Sequence, residues 1–171
     1  MTAFSTDSRD DVKKLFIHQL NRMNCTKGYL IKTLPDLIEM ASFNNLKLAI
    51  SETLEDVKKQ QERVDEIYGL LNSKASDDGC EVIKAVIEEA YHFGNPNNGL
   101  TRIINDMDII LYMRLIENIC LTAFNMLKNI NKFLGDGHIT QLLLECSDEN
   151  ADNDKLFRLI TEEYLIEKAQ S

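Results

Sequence analysis

The feature that most constrains this chain is the spacing of its apolar residues, which recur every three or four positions along most of its length. From Phe16 to Ala41 these steps alternate between fours and threes, which places the apolar side chains on one face of a helix. The 171 residues include only two prolines and seven glycines, so few points exist at which such helices could be interrupted. The pattern predicts an all-α chain.

Clusters of polar residues, glycine and proline divide the chain into five segments. The breaks fall at 42–45, 73–79, 94–99 and 135–137, and the predicted helices span 7–41, 46–71, 78–93, 100–134 and 139–165. The third is short and amphipathic, and Pro35 is expected to kink or split the first. Four long helices with short connections predict an antiparallel four-helix bundle with one short accessory helix. We expect a single domain over 1–171, with its core at about 8–168.

The charge balance and the hydropathy limit the classes of partner. With 28 acidic and 19 basic residues the net charge is −9, which disfavours binding to nucleic acid or to an anionic membrane surface. No apolar run reaches the roughly 18 to 20 residues that a membrane-spanning helix needs, and the N-terminus does not resemble a secretory signal. These features predict a soluble, cytoplasmic protein.

The four cysteines, at positions 25, 80, 120 and 146, form no CxxC pair and no cluster with histidine. This distribution suggests neither a zinc site nor a disulfide framework, so the sequence predicts reduced thiols. Cys120 and Cys146 fall on helical seams, where a free cysteine usually acts as a small apolar side chain.

Charged or polar residues interrupt the apolar seams near the middle of the long helices. Lys27 lies on the first seam, Glu117 on the fourth, and Glu149 with Asn153 on the fifth. Asp56 and Thr53 lie at the edge of the second seam. An isolated buried ion costs several kcal/mol, so such residues are paired, bound to a ligand, or rotated towards solvent. Ordinary ion pairs or solvent exposure would explain any one of them.

Five motifs, in order, resemble the ferritin-like YciE/YciF stress-protein family. Residues 15–20 and 30–35 resemble LFxHEL and the end of AEKQLLKALP, and residues 54–64 resemble HLEETxxQxxRLE. Residues 80–90 resemble CxAMxGLIEEA, residues 116–120 with 134–135 resemble VEHYE and LG, and residues 142–154 resemble LL with TLxEEKxTD. The resemblance covers about Val12 to Ile160. It implies a four-helix bundle with carboxylates and histidines suited to a dinuclear iron site, usually in a homodimer.

This chain departs from the family pattern at the ligand positions. Lys27 stands where the family has Glu, Thr53 and Asn118 stand where it has His, and Cys120 stands where it has a second Glu. The remaining candidates for a metal site are Glu55, Asp56, Glu117, Cys120 and Glu149, with the seam favouring Asp56 over Glu55. An ammonium group has no lone pair and repels a cation, so we expect Lys27 to replace the metal by hydrogen bonding to Glu117 and to Asp56 or Glu149.

The resulting hypothesis is a non-catalytic, stress-associated structural or interaction protein with a lost di-iron site and no cofactor. The alternative is a ferroxidase-like or peroxide-consuming oxidoreductase that binds iron or another divalent metal through the residual carboxylates and Cys120. A third possibility is a carrier that holds a small ligand in an apolar cavity at the middle of the bundle.

Overall fold

The computed structural model describes residues 6–76 and 79–170, and these form five α-helices. The helices are α1 (Thr6–Met40), α2 (Asn44–Leu70), α3 (Glu81–Gly94), α4 (Arg102–Leu134) and α5 (Gly137–Gln170). The prediction of four long helices and one short helix is confirmed. Pro35 lies inside α1 without splitting it. Asp78, the predicted start of the third helix, lies outside the described residues.

The four long helices pack as an antiparallel ferritin-like bundle, with α1 against α2 and α4, and α5 against α2 and α4. Contacts at both ends fix the directions: Arg9 of α1 donates to the backbone oxygen of Leu134 at the end of α4, and Asn45 of α2 donates to Glu163 near the end of α5. The short helix α3 packs across α1 and α4. None of the helices in the described residues is long and apolar enough to cross a membrane.

The predicted seams form the core. On α1 every apolar position of the predicted seam is buried, and Lys27 is buried among them. On α2 the interior positions are Thr53 and Gln60 rather than Leu54 and Gln61. On α5 the predicted positions 142, 146, 153 and 160 are buried, but Asn150 and Phe157 are buried where Glu149 and Leu156 were predicted, and Glu149 lies at the rim.

Short local signals set the helix ends. Gly135 adopts φ 77°, the left-handed conformation that ends helices, and its N–H donates to the oxygen of Asn131. The Asp136 carboxylate then accepts the backbone N–H groups of His138 and Ile139, which caps the start of α5. At the opposite end of the bundle the buried Asp106 accepts three hydrogen bonds, from the backbone and hydroxyl of Ser42 and from the hydroxyl of Tyr164.

The expectation that all four cysteines are reduced is wrong for two of them. Cys25 of α1 and Cys80, at the start of α3, form a disulfide with a Cα–Cα distance of 5.8 Å. Their separation of 55 residues gives no sign of this pairing, which depends on how α3 crosses α1. Cys120 and Cys146 are free and buried, as predicted.

A polar layer inside the bundle

The middle of the bundle interior is polar, with contributions from all four long helices. We call this set the middle layer; its buried members are Lys27, Thr53, Gln60, Glu117, Cys120, Asn150 and Asn153. Five of its side-chain atoms have no hydrogen-bond partner among the described residues: Lys27 Nζ, Thr53 Oγ1, Gln60 Oε1, Asn150 Oδ1 and Asn153 Nδ2. A polar layer at this height does not fit the apolar cavity that a small-ligand carrier would need.

Lys27 is fully buried, which is rare for a lysine. Its ammonium nitrogen lies 5.1 Å from the centre of the Phe124 ring, a distance at which a cation is attracted to the ring face. The prediction that Lys27 donates hydrogen bonds to Glu117 and to Asp56 or Glu149 is wrong, because Nζ has no hydrogen-bond partner within the described part of the chain. Lys27 acts on Glu117 through its charge and not through a hydrogen bond.

Glu117 is the buried acid of the middle layer. Its Oε2 accepts a hydrogen bond of 2.5 Å from the side-chain amide of Asn150 on α5. Burial raises the pKa of Glu117 from 4.5 to about 7, although the nearby charge of Lys27 and the bond from Asn150 both lower it. Desolvation is therefore the larger effect, and Glu117 is only partly ionised near neutral pH.

The other candidate carboxylates lie further out, and each has its own cation. Glu55 is exposed and pairs with Lys58, while Asp56 points more inward and pairs with Lys59, as the seam favoured. The Glu149 carboxylate accepts hydrogen bonds from both Nη atoms of Arg63, each at 2.8 Å. It also accepts a hydrogen bond of 3.0 Å from the side-chain amide of Gln60. Only Glu117 of the predicted carboxylates lies in the interior.

The two free thiols are poor candidates for metal ligands or nucleophiles. Burial raises the pKa of Cys120 above its ordinary value, and Lys27 offsets this only in part. Burial raises the pKa of Cys146 to about 11. Since the thiolate is the form that binds metal and attacks electrophiles, both cysteines remain inert thiols near neutral pH.

The arrangement does not fit a dinuclear iron site. Such a site needs about four carboxylates with imidazoles from facing helices, but nowhere in residues 6–76 and 79–170 do three His, Cys, Asp or Glu side chains converge on a common point. The three histidines, His18, His92 and His138, are exposed. Asn118, at the position where the family has His, lies on the surface and donates to Asp154.

The sequence indicated Thr53, Cys120 and Asn153 but missed two other members of the middle layer, Gln60 and Asn150, and also missed Arg63 at its edge. The partner of Glu117 is Asn150, and the partner of Glu149 is Arg63. The signal available was that Asn150 and Asn153 lie one helical turn apart, which indicates a polar stripe on α5. Choosing between that stripe and Glu149 requires the rotation of α5 about its axis, which packing sets.

Comparison with known proteins is consistent with this description. The model of a family named for a domain of unknown function, DUF892, matches residues 11–170. The chain belongs to this family. The DUF892 chain is similar to the stress protein YciF of E. coli, with a TM-score of 0.84 and 22% identity, covering 90% of this chain and 96% of YciF. It is also similar to YcfI of Rhodopseudomonas palustris, provisionally described as a structural protein, with a TM-score of 0.81 and 23% identity, covering 91% and 98%.

The predicted resemblance to the YciE/YciF family is confirmed by these matches. At such low identity the two structures establish the fold alone. No curated protein sequence matches this DUF892 chain significantly.

Proposed function

We propose that this DUF892 protein is a non-catalytic, stress-associated structural protein in which a buried lysine stands in for a di-iron centre. The observation that carries the proposal is the fully buried Lys27 beside the buried Glu117. The stress association rests on the likeness to YciF.

The charge of Lys27 opposes a metal cation at this position. An ammonium group supplies hydrogen-bond donors and no lone pair, so it cannot be a ligand while it is charged. A divalent ion placed near Glu117 would be repelled by this ammonium in a medium where charges are poorly screened. Binding a metal would therefore require Lys27 to lose its proton or to leave the interior.

The remaining acids are already engaged. If Glu149 became a metal ligand, its bidentate ion pair with Arg63 would break. If Asp56 became a ligand, its ion pair with Lys59 would break. Breaking a partly buried ion pair leaves a charge without its partner, which costs more than the pair contributes. The alternative oxidoreductase, which uses Asp56, Glu117, Glu149 and Cys120, would need all of these rearrangements together.

Metal analysis with a charge-reversal variant tests the proposal. Purified protein is incubated anaerobically with ferrous iron, desalted and analysed for iron, and then exposed to oxygen while the absorbance of ferric species is followed. We expect no stoichiometric iron and no oxidation burst for the wild type. Lys27→Glu should bind measurable iron, because it restores a carboxylate where the family has one.

Lys32→Glu is the matched control, since it makes the same charge change at an exposed position of α1. Iron uptake by this control equal to that of Lys27→Glu would mean that added surface charge alone attracts iron. Two iron ions per chain bound and oxidised by the wild type would refute the proposal and favour the oxidoreductase.

We further infer a homodimer, formed through the outer face of α4. Five large apolar side chains are exposed there, and we call them the α4 stripe: Ile104, Leu111, Leu115, Met126 and Phe133. The stripe runs over 30 residues, from Ile104 to Phe133, which corresponds to about 44 Å of helix. Large apolar side chains exposed along one face of a helix are typical of an interaction site.

A second copy of the chain is the partner that the charges favour. The protein carries a net charge of −9. Between Leu115 and Asn131, however, α4 has only two charged residues: Glu117, which is buried, and Lys128, which is partly exposed. Two copies can therefore meet on this face without bringing their acidic surfaces together. A two-fold axis near Thr122 would bring the apolar groups at one end of each stripe to those at the other end.

Sedimentation equilibrium tests this inference. We expect a dimer for the wild type and a monomer for Met126→Lys, since a charge in the centre of an apolar interface is not compensated there. Leu48→Lys on α2, also at an exposed leucine, should remain dimeric. A monomeric wild type, or dissociation by both substitutions, would exclude α4 as the interface.

A further inference from the structure

The disulfide joins Cys25, in the middle of α1, to Cys80, the residue immediately before α3. Cys80 is the N-cap residue of α3 and is buried, while Cys25 is partly exposed. A Cα–Cα distance of 5.8 Å lies within the range that disulfides require, so the bond can form whenever the first half of α3 is docked on α1.

The two halves of α3 are held differently. In the second half Ile87 and Ala90 are fully buried, the Tyr91 hydroxyl donates to the oxygen of Thr33, and the Gly94 backbone packs against Ile109. In the first half Ile83 is buried but Val82 is exposed, and the ion pair of Lys84 with Glu81 lies within the helix. The disulfide is the covalent link that fastens this first half to α1.

A solvent-accessible hollow reaches the disulfide. It has a volume of about 460 Å³ and lies between α1, α3 and α4, with Cys80, Met23, Ile83 and Ile119 among the side chains that line it. A small molecule can therefore approach Cys80 from this side, while Cys25, which does not line the hollow, is reached through its own partial exposure on α1. Movement of the first half of α3 away from α1 would widen the hollow.

We propose that Cys25 and Cys80 form a reversible redox site that takes a small dithiol as reductant, and that its oxidation state controls the docking of the first half of α3. A thiolate of the dithiol attacks Sγ of Cys25, the more exposed sulfur, and Cys80 leaves as a thiolate. The second thiol of the reductant then attacks the mixed disulfide. The products are the oxidised cyclic disulfide of the reductant and two cysteine thiols, with both protons coming from the dithiol.

The position of Cys80 favours this direction of attack. The N-terminus of a helix carries a partial positive charge, which stabilises a thiolate at the N-cap. A stabilised thiolate is the better leaving group, so the exchange begins at Cys25 and releases Cys80. The reverse reaction, with an oxidised dithiol, restores the disulfide.

Thiol counting on the full chain gives the first test. In denaturant, air-oxidised protein should show two thiols that react with a maleimide reagent, and protein reduced with dithiothreitol should show four. In the native reduced protein only two should react rapidly, because Cys120 and Cys146 are buried. Four reactive thiols after treatment with oxidised dithiothreitol would overturn the proposal.

Hydrogen exchange of the backbone amides gives the second test. On reduction we expect residues 83–86 to lose at least about 10-fold in protection, while residues 90–94 and the middle of α5 stay within about 2-fold, since the disulfide secures only the first half of α3. The Cys25→Ser variant should match the reduced wild type, and dithiothreitol should not change it.

Two results would contradict the redox site. Equal protection of residues 83–86 in both states would mean that the packing of Ile83 is enough to hold the first half of α3. A uniform loss across all helices would mean that the disulfide acts only on global stability. Both measurements are independent of metal content.

Discussion

Replacing Glu117 with Gln should make the protein more stable above neutral pH, although it removes an acid that faces a lysine. The pKa of Glu117 is raised from 4.5 to about 7, mainly by burial. The folded state therefore binds a proton more tightly than the unfolded state does, and the stability contributed by this group decreases as the pH rises between these two values.

The magnitude follows from the two pKa values. At about 1.4 kcal/mol for each pH unit, the full cost of ionising the buried Glu117 is about 3 kcal/mol. Most of this cost appears between about pH 5 and about pH 8, where the wild type should lose about 2 to 3 kcal/mol relative to Glu117→Gln. The glutamine keeps the shape of the side chain and its contact with Asn150, so the two proteins should have similar stability near pH 5.

Urea unfolding of both proteins at several pH values, at constant ionic strength, measures this difference. Glu162→Gln, which changes an exposed acid on α5, is the control and should follow the wild type at every pH. The reasoning is refuted if Glu117→Gln is the less stable protein at pH 8 by a similar amount. Lys27 would then outweigh desolvation, and Glu117 would be ionised throughout.

Three further changes test the packing of the fold by urea unfolding. Gly94→Ala should destabilise the protein by about 1 to 3 kcal/mol, because the new Cβ would lie 2.8 Å from a side-chain carbon of Ile109. Gly69→Ala, where a Cβ meets open space, is the control and should be neutral or stabilising. Equal effects of the two substitutions would contradict the close contact at Gly94. Asp106→Ala should cost about 1 to 3 kcal/mol, because it leaves the buried hydroxyl of Tyr164 without an acceptor. A loss well under about 1 kcal/mol would show that this hydroxyl reaches water. Cys80→Ser should lower the free energy of unfolding by up to about 4 kcal/mol, because it opens a loop of 55 residues in the unfolded chain. An unchanged free energy of unfolding under oxidising conditions would mean that the disulfide does not constrain the unfolded chain.

Gly28 lies inside α1, where a glycine costs about 1 kcal/mol relative to alanine and the close approach of a neighbouring helix would be one reason to keep it. A Cβ built at Gly28 meets nothing within 4 Å, so close packing does not explain it. Nothing else in the structure accounts for a glycine there.

The fold was predictable because the spacing of apolar residues in each long helix indicates which of its faces is buried. The α1 seam from Phe16 to Ala41 shows this most clearly, since all of its predicted positions are buried, including the charged Lys27. Glycine at 135 likewise marked the end of α4, because its left-handed conformation is one that glycine adopts at little cost. These are local properties, and local sequence determines them.

The site was predictable only in part. The sequence indicated Lys27 and Glu117 as interior charges, because both interrupt a regular apolar seam. It misplaced Glu149, because the seam of α5 is weakly apolar and a rotation of one residue exchanges Glu149 for Asn150. The partners of a side chain depend on the register between helices, and that register is set by packing over the whole bundle.

The amino-acid sequence by itself determined the helices, their antiparallel order and the presence of an ammonium group in the bundle interior. Only the tertiary structure decided that Cys25 meets Cys80, that Arg63 neutralises Glu149, and that Lys27 faces Phe124 without a hydrogen bond. The physical reason is that helical periodicity fixes which way a side chain points from its own axis, whereas its neighbours depend on the distances and rotations of other helices.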